Sequence, residues 1–160
     1  MTIEGSAVVI TCSTRAAAGV YPDRSGPIIV EVLRGWGLAV GDGVVVADGL
    51  EVERALRSAI SSGAALVITT GGTGLTPTDG TPEATMRVVD RLVPGIAEAI
   101  RAAGVNSGTP SAMLSRGVSG LAGRSLVINL PGSTGGVRDG LAVLESVVAH
   151  ALSQIQGGDH

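Results

Sequence analysis

Four short runs of apolar residues punctuate the chain, and the segments between them carry apolar positions at helical spacing. The runs are Ser6-Ala7-Val8-Val9-Ile10-Thr11-Cys12, Gly43-Val44-Val45-Val46-Ala47, Leu66 to Thr70, and Arg124-Ser125-Leu126-Val127-Ile128-Asn129-Leu130. Runs of that length without polar alternation predict strands buried in a sheet. Ile28, Ile29, Val32, Leu33 and Trp36 predict a helix that Ser25 caps, with Pro27 near its first turn and Gly35 and Gly37 at its end. Val52, Ala55, Leu56, Ala59 and Ile60 share one face of a helix from Glu51 to Ser62. Another helix starts at Pro82, and Pro94 interrupts the pattern before one from about Gly95 to Ala103. Ser111 to Ser115 is ambiguous between a short helix and a loop. Leu141, Leu144, Val147, Val148, Leu152 and Ile155 predict one long last helix, capped by Ser133 or Thr134.

Apolar strands alternating with helices predict a single α/β domain of three layers, α/β/α, with a mostly parallel central sheet. It is expected to span residues 1–156, leaving 157–160 as a loose tail. Such sheets bind ligands outside the carboxyl ends of their strands. Four loops leave strand ends, at Ser13, Asp48, Gly71 and Pro131-Gly132, and all four are expected on one edge.

Composition removes several functions. A net charge of −3 offers no general attraction to nucleic acid or to anionic membranes. Tyr21 and Trp36 are the only aromatic residues, so there is no stacking platform for single strands. No apolar run approaches a membrane span, and Met1 to Gly5 lacks the basic region of a signal peptide, so the chain reads as cytoplasmic. Cys12 is the single cysteine and reads as a small buried thiol. All 11 basic residues are arginine. A Walker-type phosphate loop needs its lysine and is excluded, as are G-x-G-x-x-G and G-x-S-x-G sites. A charged clamp on phosphate must then be arginine, with Arg15, Arg24, Arg116 and Arg138 as loop candidates.

The segment from Thr69 to Glu83 concentrates the chemistry. It leaves a buried strand through Gly71, Gly72 and Gly74, passes Asp79, and enters a helix. Glycines there let backbone N–H groups approach an anion. Asp48 and Asp79 both follow predicted strands, and two carboxylates on one edge suit Mg²⁺ with water and substrate phosphates in its remaining shell. Asp48 equally fits a plain cap of the helix at Glu51, and Asp79 a turn aspartate. Pro131-Gly132-Ser133-Thr134 offers a second anion site before a helix, or ordinary capping. Ser115 and Arg116 could present a hydroxyl and a guanidinium to a substrate. His150 and His160 have no neighbouring ligand in sequence and fit a helix face and a tail.

Together these pieces resemble the molybdopterin-binding fold of molybdenum-cofactor biosynthesis, the Mog/MoaB-like family. The specific piece is Thr70-Gly71-Gly72-Thr73-Gly74 with Asp79-x-Thr81-Pro82-Glu83-Ala84. Asp23-Arg24-Ser25-Gly26, Asp48, Leu114-Ser115-Arg116 and Asn129-Leu130-Pro131-Gly132 support it, in the family's order from Ser6 to Ile155. The resemblance implies a molybdopterin adenylyltransferase: the terminal phosphate of molybdopterin attacks the α-phosphate of ATP, giving adenylyl-molybdopterin and pyrophosphate. By position, Asp48 and Asp79 match the family's catalytic, Mg²⁺-associated aspartates. Gly71 to Gly74 and the Pro131-Gly132 turn match its phosphate- and nucleotide-contacting loops, and Ser115 matches a polar position near the pterin side; Thr70, Arg116 and Ser133 complete the expected substrate- and nucleotide-binding set. A homotrimer and handover to a molybdate-insertion enzyme are further expectations of the resemblance. The alternative is a molybdopterin-binding module without catalysis, or a weakly active paralogue.

Overall fold

The computed structural model describes residues 2–160. All four apolar runs form strands: β1 (Ser6–Cys12), β3 (Val44–Val46), β4 (Leu66–Thr70) and β7 (Ser125–Leu130). Three further strands, β2 (Ala39–Val40), β5 (Arg91–Leu92) and β6 (Ser119–Ala122), complete a seven-stranded sheet. Its order is β2-β1-β4-β7-β6-β5, with β3 also paired to β1. Pairings among β1, β2, β3, β4 and β7 are parallel, and only those of β6 with β5 and β7 are antiparallel.

Successive side chains of a strand point to opposite faces, and here both faces are covered. Val9, Leu66, Ile68, Leu126 and Ile128 join one core, packed by α2 (Ser25–Gly35), α5 (Pro94–Asn106), α6 (Thr134–Glu145) and α7 (Val148–Ile155). Ile10, Val67 and Val127 join a second core under α3 (Leu50–Ser61) and α4 (Thr81–Met86). Leu66, Val67 and Ile68 are all 0% exposed, which is why their run shows no polar alternation. The expected three-layer, mostly parallel architecture is what forms. Truncating a fully buried Leu such as Leu56 or Leu144 to Ala would cost about 2–5 kcal/mol.

The elements differ from expectation in places. The last helix is two: α6 ends at Glu145 and α7 begins at Val148, with Val147 at φ −132° between them. Ser25 does not cap α2. Its hydroxyl donates to the Gly132 carbonyl at 2.7 Å, and Asp23 Oδ1 instead accepts the Gly26 N–H at 3.0 Å. The helix expected after Pro94 begins at Pro94 itself and runs to Asn106, since a first-turn residue has no N–H bond to lose. Ser133 caps α6, accepting the Gly136 N–H at 3.1 Å. A 3-10 turn occupies Pro110–Leu114, and the loop after β1 contains a one-turn helix, α1 (Thr14–Ala17). Among the described residues no helix is long and apolar enough to cross a membrane.

Candidate functional site

Because β1, β3, β4 and β7 run parallel, the segments after them leave from one edge of the sheet. Thr70 of β4 pairs with Leu130 of β7, so Gly71 and Pro131-Gly132 emerge side by side. The Thr70 hydroxyl donates to the Pro131 carbonyl at 2.7 Å, and the Gly71 N–H donates to the Leu130 carbonyl at 3.1 Å. A Cβ on Gly132 would lie 3.3 Å from Gly71 Cα, and one on Gly71 would lie 2.5 Å from the Cys12 carbonyl. Gly71, at φ +91°, therefore threads a gap between β1 and β7 that no other residue fits. Among the described residues no acceptor is found for the N–H of Gly72, Thr73 or Gly74. Those donors, with the first turn of the 12-residue α6 beside them, make an anion-attracting ridge.

Two half-buried carboxylates flank this ridge. A Cβ on Gly72 would lie 3.2 Å from Asp48 Oδ1, and one on Gly74 would lie 2.8 Å from Asp79 Oδ2. The glycines thus leave room for the aspartate carboxylates. Asp48 Oδ2 accepts the Thr14 N–H at 3.2 Å and the Thr14 hydroxyl at 2.8 Å. Asp48 does not cap α3: Gly49 holds that position, at φ +101°, with no side-chain bond. Asp79 closes a turn, its Oδ2 accepting the Thr76 N–H at 3.1 Å. The turn reading of Asp79 is therefore correct, and it leaves the carboxylate against Gly74.

Two cavities meet at the ridge. One of about 550 Å³ lies between the loop after β1 and the ridge, with Tyr21, Arg24, Ser25 and Thr134 in its wall. The other, about 430 Å³, is lined by Gly71 to Gly74, Pro131 to Ser133, Ser115 and Arg101. Gly71, Gly72 and Gly132 belong to both. Thr70 lines the first cavity only.

The arginines divide by partner. Arg24 lines the first cavity; Arg15, Arg116 and Arg138 line neither. Arg116 is a loop fastener: Nε donates to the Gly74 carbonyl at 2.9 Å, Nη2 to the Asp79 carbonyl at 2.9 Å, and Nη1 to Glu83 at 2.6 Å. Its backbone N–H also donates to the Thr73 carbonyl at 2.8 Å. The guanidinium thus holds the loop carrying Asp79 and is not a free phosphate clamp. Arg101, on α5, was not singled out from the sequence. It reaches the second cavity and donates to the carbonyls of Ser115 and Gly117 at 3.3 and 2.9 Å. A lone arginine in a helix gives no sequence signal for that role.

Under the ridge, burial pushes the Cys12 thiol up to about 12, the Thr81 hydroxyl pulls it down somewhat, and the Asp48 charge adds to the rise. With its pKa raised, the thiol stays protonated at neutral pH and is a poor nucleophile. Among the described residues no group of three or more His, Cys, Asp and Glu side chains gathers to hold a metal. Asp48 and Asp79 beside the glycine turn fit Mg²⁺, which takes one or two carboxylates and completes its shell with phosphate oxygens and water.

The fold and the ridge define a class: a mostly parallel α/β protein with two cavities that meet at a glycine ridge on the carboxyl edge of its sheet. A sequence-family profile described as "Probable molybdopterin binding domain" matches residues 8–150, and the chain belongs to that family. It is 43% identical over 155 residues to the molybdenum cofactor biosynthesis bifunctional protein of Synechococcus elongatus, covering 96% of this chain and 48% of that protein. It spans, in other words, about half the length of that relative. It is 38% identical to the molybdopterin adenylyltransferase of Pyrococcus furiosus, covering 90% of this chain and 87% of that one. Among solved structures, the molybdopterin biosynthesis Mog protein from Mycobacterium ulcerans superposes with a TM-score of 0.90 at 54% identity, covering 95% and 99% of the two chains.

Proposed function

We propose that this chain is a molybdopterin adenylyltransferase that transfers AMP from ATP to the terminal phosphate of molybdopterin. One observation carries the reading: two cavities share the Gly71-Gly72-Gly132 ridge, and Asp48 and Asp79 flank it. Two phosphate-bearing substrates, one per cavity, would meet there. A terminal phosphate oxygen of molybdopterin bonds to the α-phosphorus of ATP. The bond from that phosphorus to the bridging oxygen of the β-phosphate breaks, and pyrophosphate leaves with the electron pair. The 38%-identical Pyrococcus furiosus relative bears the name of this activity.

The site suits the electrostatics of that step. Two unit negative charges 4 Å apart repel by about 1 kcal/mol in water and about 4 kcal/mol at an effective dielectric near 20. With no lysine in the chain, compensation falls to arginine, oriented N–H groups and a cation. Asp48 and Asp79 would hold Mg²⁺, which when bound neutralises phosphate charge and stabilises the leaving pyrophosphate. The N–H groups of Gly72, Thr73 and Gly74 orient phosphate oxygens, and Arg24 and Arg101 stand at the walls of the two cavities. The attacking phosphate is already an anion, so no histidine base is needed. Cytoplasmic residence, a homotrimer and handover to a molybdate-insertion enzyme belong to this proposal. Exposed Met86 and Leu92 offer apolar surface for self-association.

The test is incubation with molybdopterin, ATP and Mg²⁺, with adenylyl-molybdopterin and pyrophosphate measured. Equimolar appearance of both is expected. Tight molybdopterin binding with no product would make the chain a binding module.

A further inference from the structure

Thr81 opens α4, and its hydroxyl is the one buried side-chain oxygen or nitrogen among the described residues without a hydrogen-bond partner. The residue is 1% exposed. Its polar neighbours are satisfied. The Thr85 hydroxyl donates to the Thr81 carbonyl at 2.8 Å, and the Asn129 amide donates to the hydroxyls of Thr69 and Thr85, each at 2.9 Å. A buried hydroxyl left unpaired destabilises the fold, and an apolar side chain of the same shape removes that cost. Valine would serve packing here at least as well, so packing does not account for the hydroxyl.

Its surroundings do. The Thr81 N–H donates to the Gly72 carbonyl at 3.1 Å, and a Cβ on Gly72 would fall on the Thr81 hydroxyl and within 3.2 Å of Asp48 Oδ1. The hydroxyl and that carboxylate oxygen therefore flank the same face of Gly72. Asp48 Oδ2 is taken up by Thr14, whereas Oδ1 receives no hydrogen bond from the described residues. The other polar neighbour is the Cys12 thiol: the Thr81 hydroxyl would stabilise its thiolate, but burial keeps the thiol protonated at neutral pH, where it donates to the Ile10 carbonyl at 4.0 Å and leaves the hydroxyl without a hydrogen bond.

We propose that Thr81 is a positioning residue for Asp48: its hydroxyl, on the same face of Gly72 as Oδ1 and unbonded in this structure, is held to donate to that oxygen when the cation site is filled, so that Thr14 and Thr81 would then fix both oxygens of the carboxylate. This rests on the reading of Asp48 as part of the cation site. Thr81 acts through Asp48 and touches no substrate, since its hydroxyl lies beneath Gly72. Fold stability is given up for carboxylate orientation.

Thr81→Val removes the hydroxyl and keeps the shape; Thr81→Ser keeps the hydroxyl. The probe is Mn²⁺ with ATP, its binding followed by electron paramagnetic resonance with no molybdopterin present. Thr81→Val is expected to raise the half-saturating Mn²⁺ concentration about tenfold, the scale of lost outer-sphere partners at metal sites. Thr81→Ser is expected to stay close to wild type. The melting temperature of Thr81→Val is expected to equal or exceed that of wild type. Unchanged Mn²⁺ binding in Thr81→Val, with Asp48→Asn weakened, would overturn the role of Thr81 alone. If Asp48→Asn also binds Mn²⁺ as wild type does, the cation site itself is misassigned and both readings fall. A lowered melting temperature with unchanged Mn²⁺ binding would mark the hydroxyl as structural.

Discussion

The Thr14 hydroxyl donates to Asp48 Oδ2 at 2.8 Å, and the Asp48 N–H donates back to Thr14 Oγ1 at 3.1 Å. The pair joins the loop after β1 to the loop after β3. It turns a carboxylate that could have capped α3 into one aimed at the glycine ridge.

Thr14→Val keeps the volume and loses both hydroxyl bonds. Hydrogen bonds to charged groups contribute roughly 1.5–3 kcal/mol, so kcat should fall about tenfold or more. The KM for ATP should change little, because Thr14 lines neither cavity. Thr14→Ser should recover most of the rate. Steady-state kinetics on both variants separates orientation of Asp48 from loss of ATP binding.

Gly72→Ala should be damaging in two ways. The residue is at φ +67°, and the new Cβ would fall on the buried Thr81 hydroxyl and crowd Asp48. Gly63 provides the control: it has φ +82° with nothing within 4 Å of an added Cβ. Gly63→Ala should cost about 1 kcal/mol of backbone strain and leave activity intact. Gly72→Ala should lose more stability than that and nearly all activity. Urea unfolding beside product formation checks the pair.

Arg116→Ala should loosen the Gly74–Asp79 segment, since one guanidinium holds the Gly74 and Asp79 carbonyls and Glu83. The expected signature is faster amide exchange across residues 74–79 and reduced kcat. Glu83→Gln should produce a milder version, because the two carbonyl bonds remain. Hydrogen-exchange mass spectrometry reads the loop directly.

Much of this was legible in the sequence because fully buried strands have an unbroken apolar signature. β1, β4 and β7 could be read that way, and their parallel order placed the loops at Gly71 and Pro131 together. The short strands could not be read. Ala39-Val40 and Arg91-Leu92 are two residues each, and Ser119-Gly120-Leu121-Ala122 carries small residues in place of a β-branched run. The break at Val147 was invisible because apolar spacing continues through it with no Gly or Pro. Within the site, the aspartates and glycines stood out. Arg101 did not, because its role depends on the 3-10 turn folding back over α5. Nor did the fastening role of Arg116, which depends on where its Glu83 partner lands in space.

Cys12 gives a pH prediction. The folded thiol holds its proton up to about 12, whereas the unfolded thiol loses it near its ordinary value of 9.0. The stabilisation from this difference is complete below about pH 9 and is lost as pH rises from there toward 12. The slope approaches about 1.4 kcal/mol per pH unit at most. Urea midpoints should therefore fall above pH 9, and fall less steeply in Cys12→Ala, which lacks the titrating thiol.

The most direct measurement compares adenylyl-molybdopterin formation by wild type and Asp79→Asn at saturating ATP and Mg²⁺. The neutral amide keeps the shape of the side chain while removing the charge beside Gly74. Asp79→Asn should bind molybdopterin with unchanged affinity and form essentially no product. Full product formation by Asp79→Asn would contradict the account, because the ridge would then transfer AMP without one of the two carboxylates that flank it.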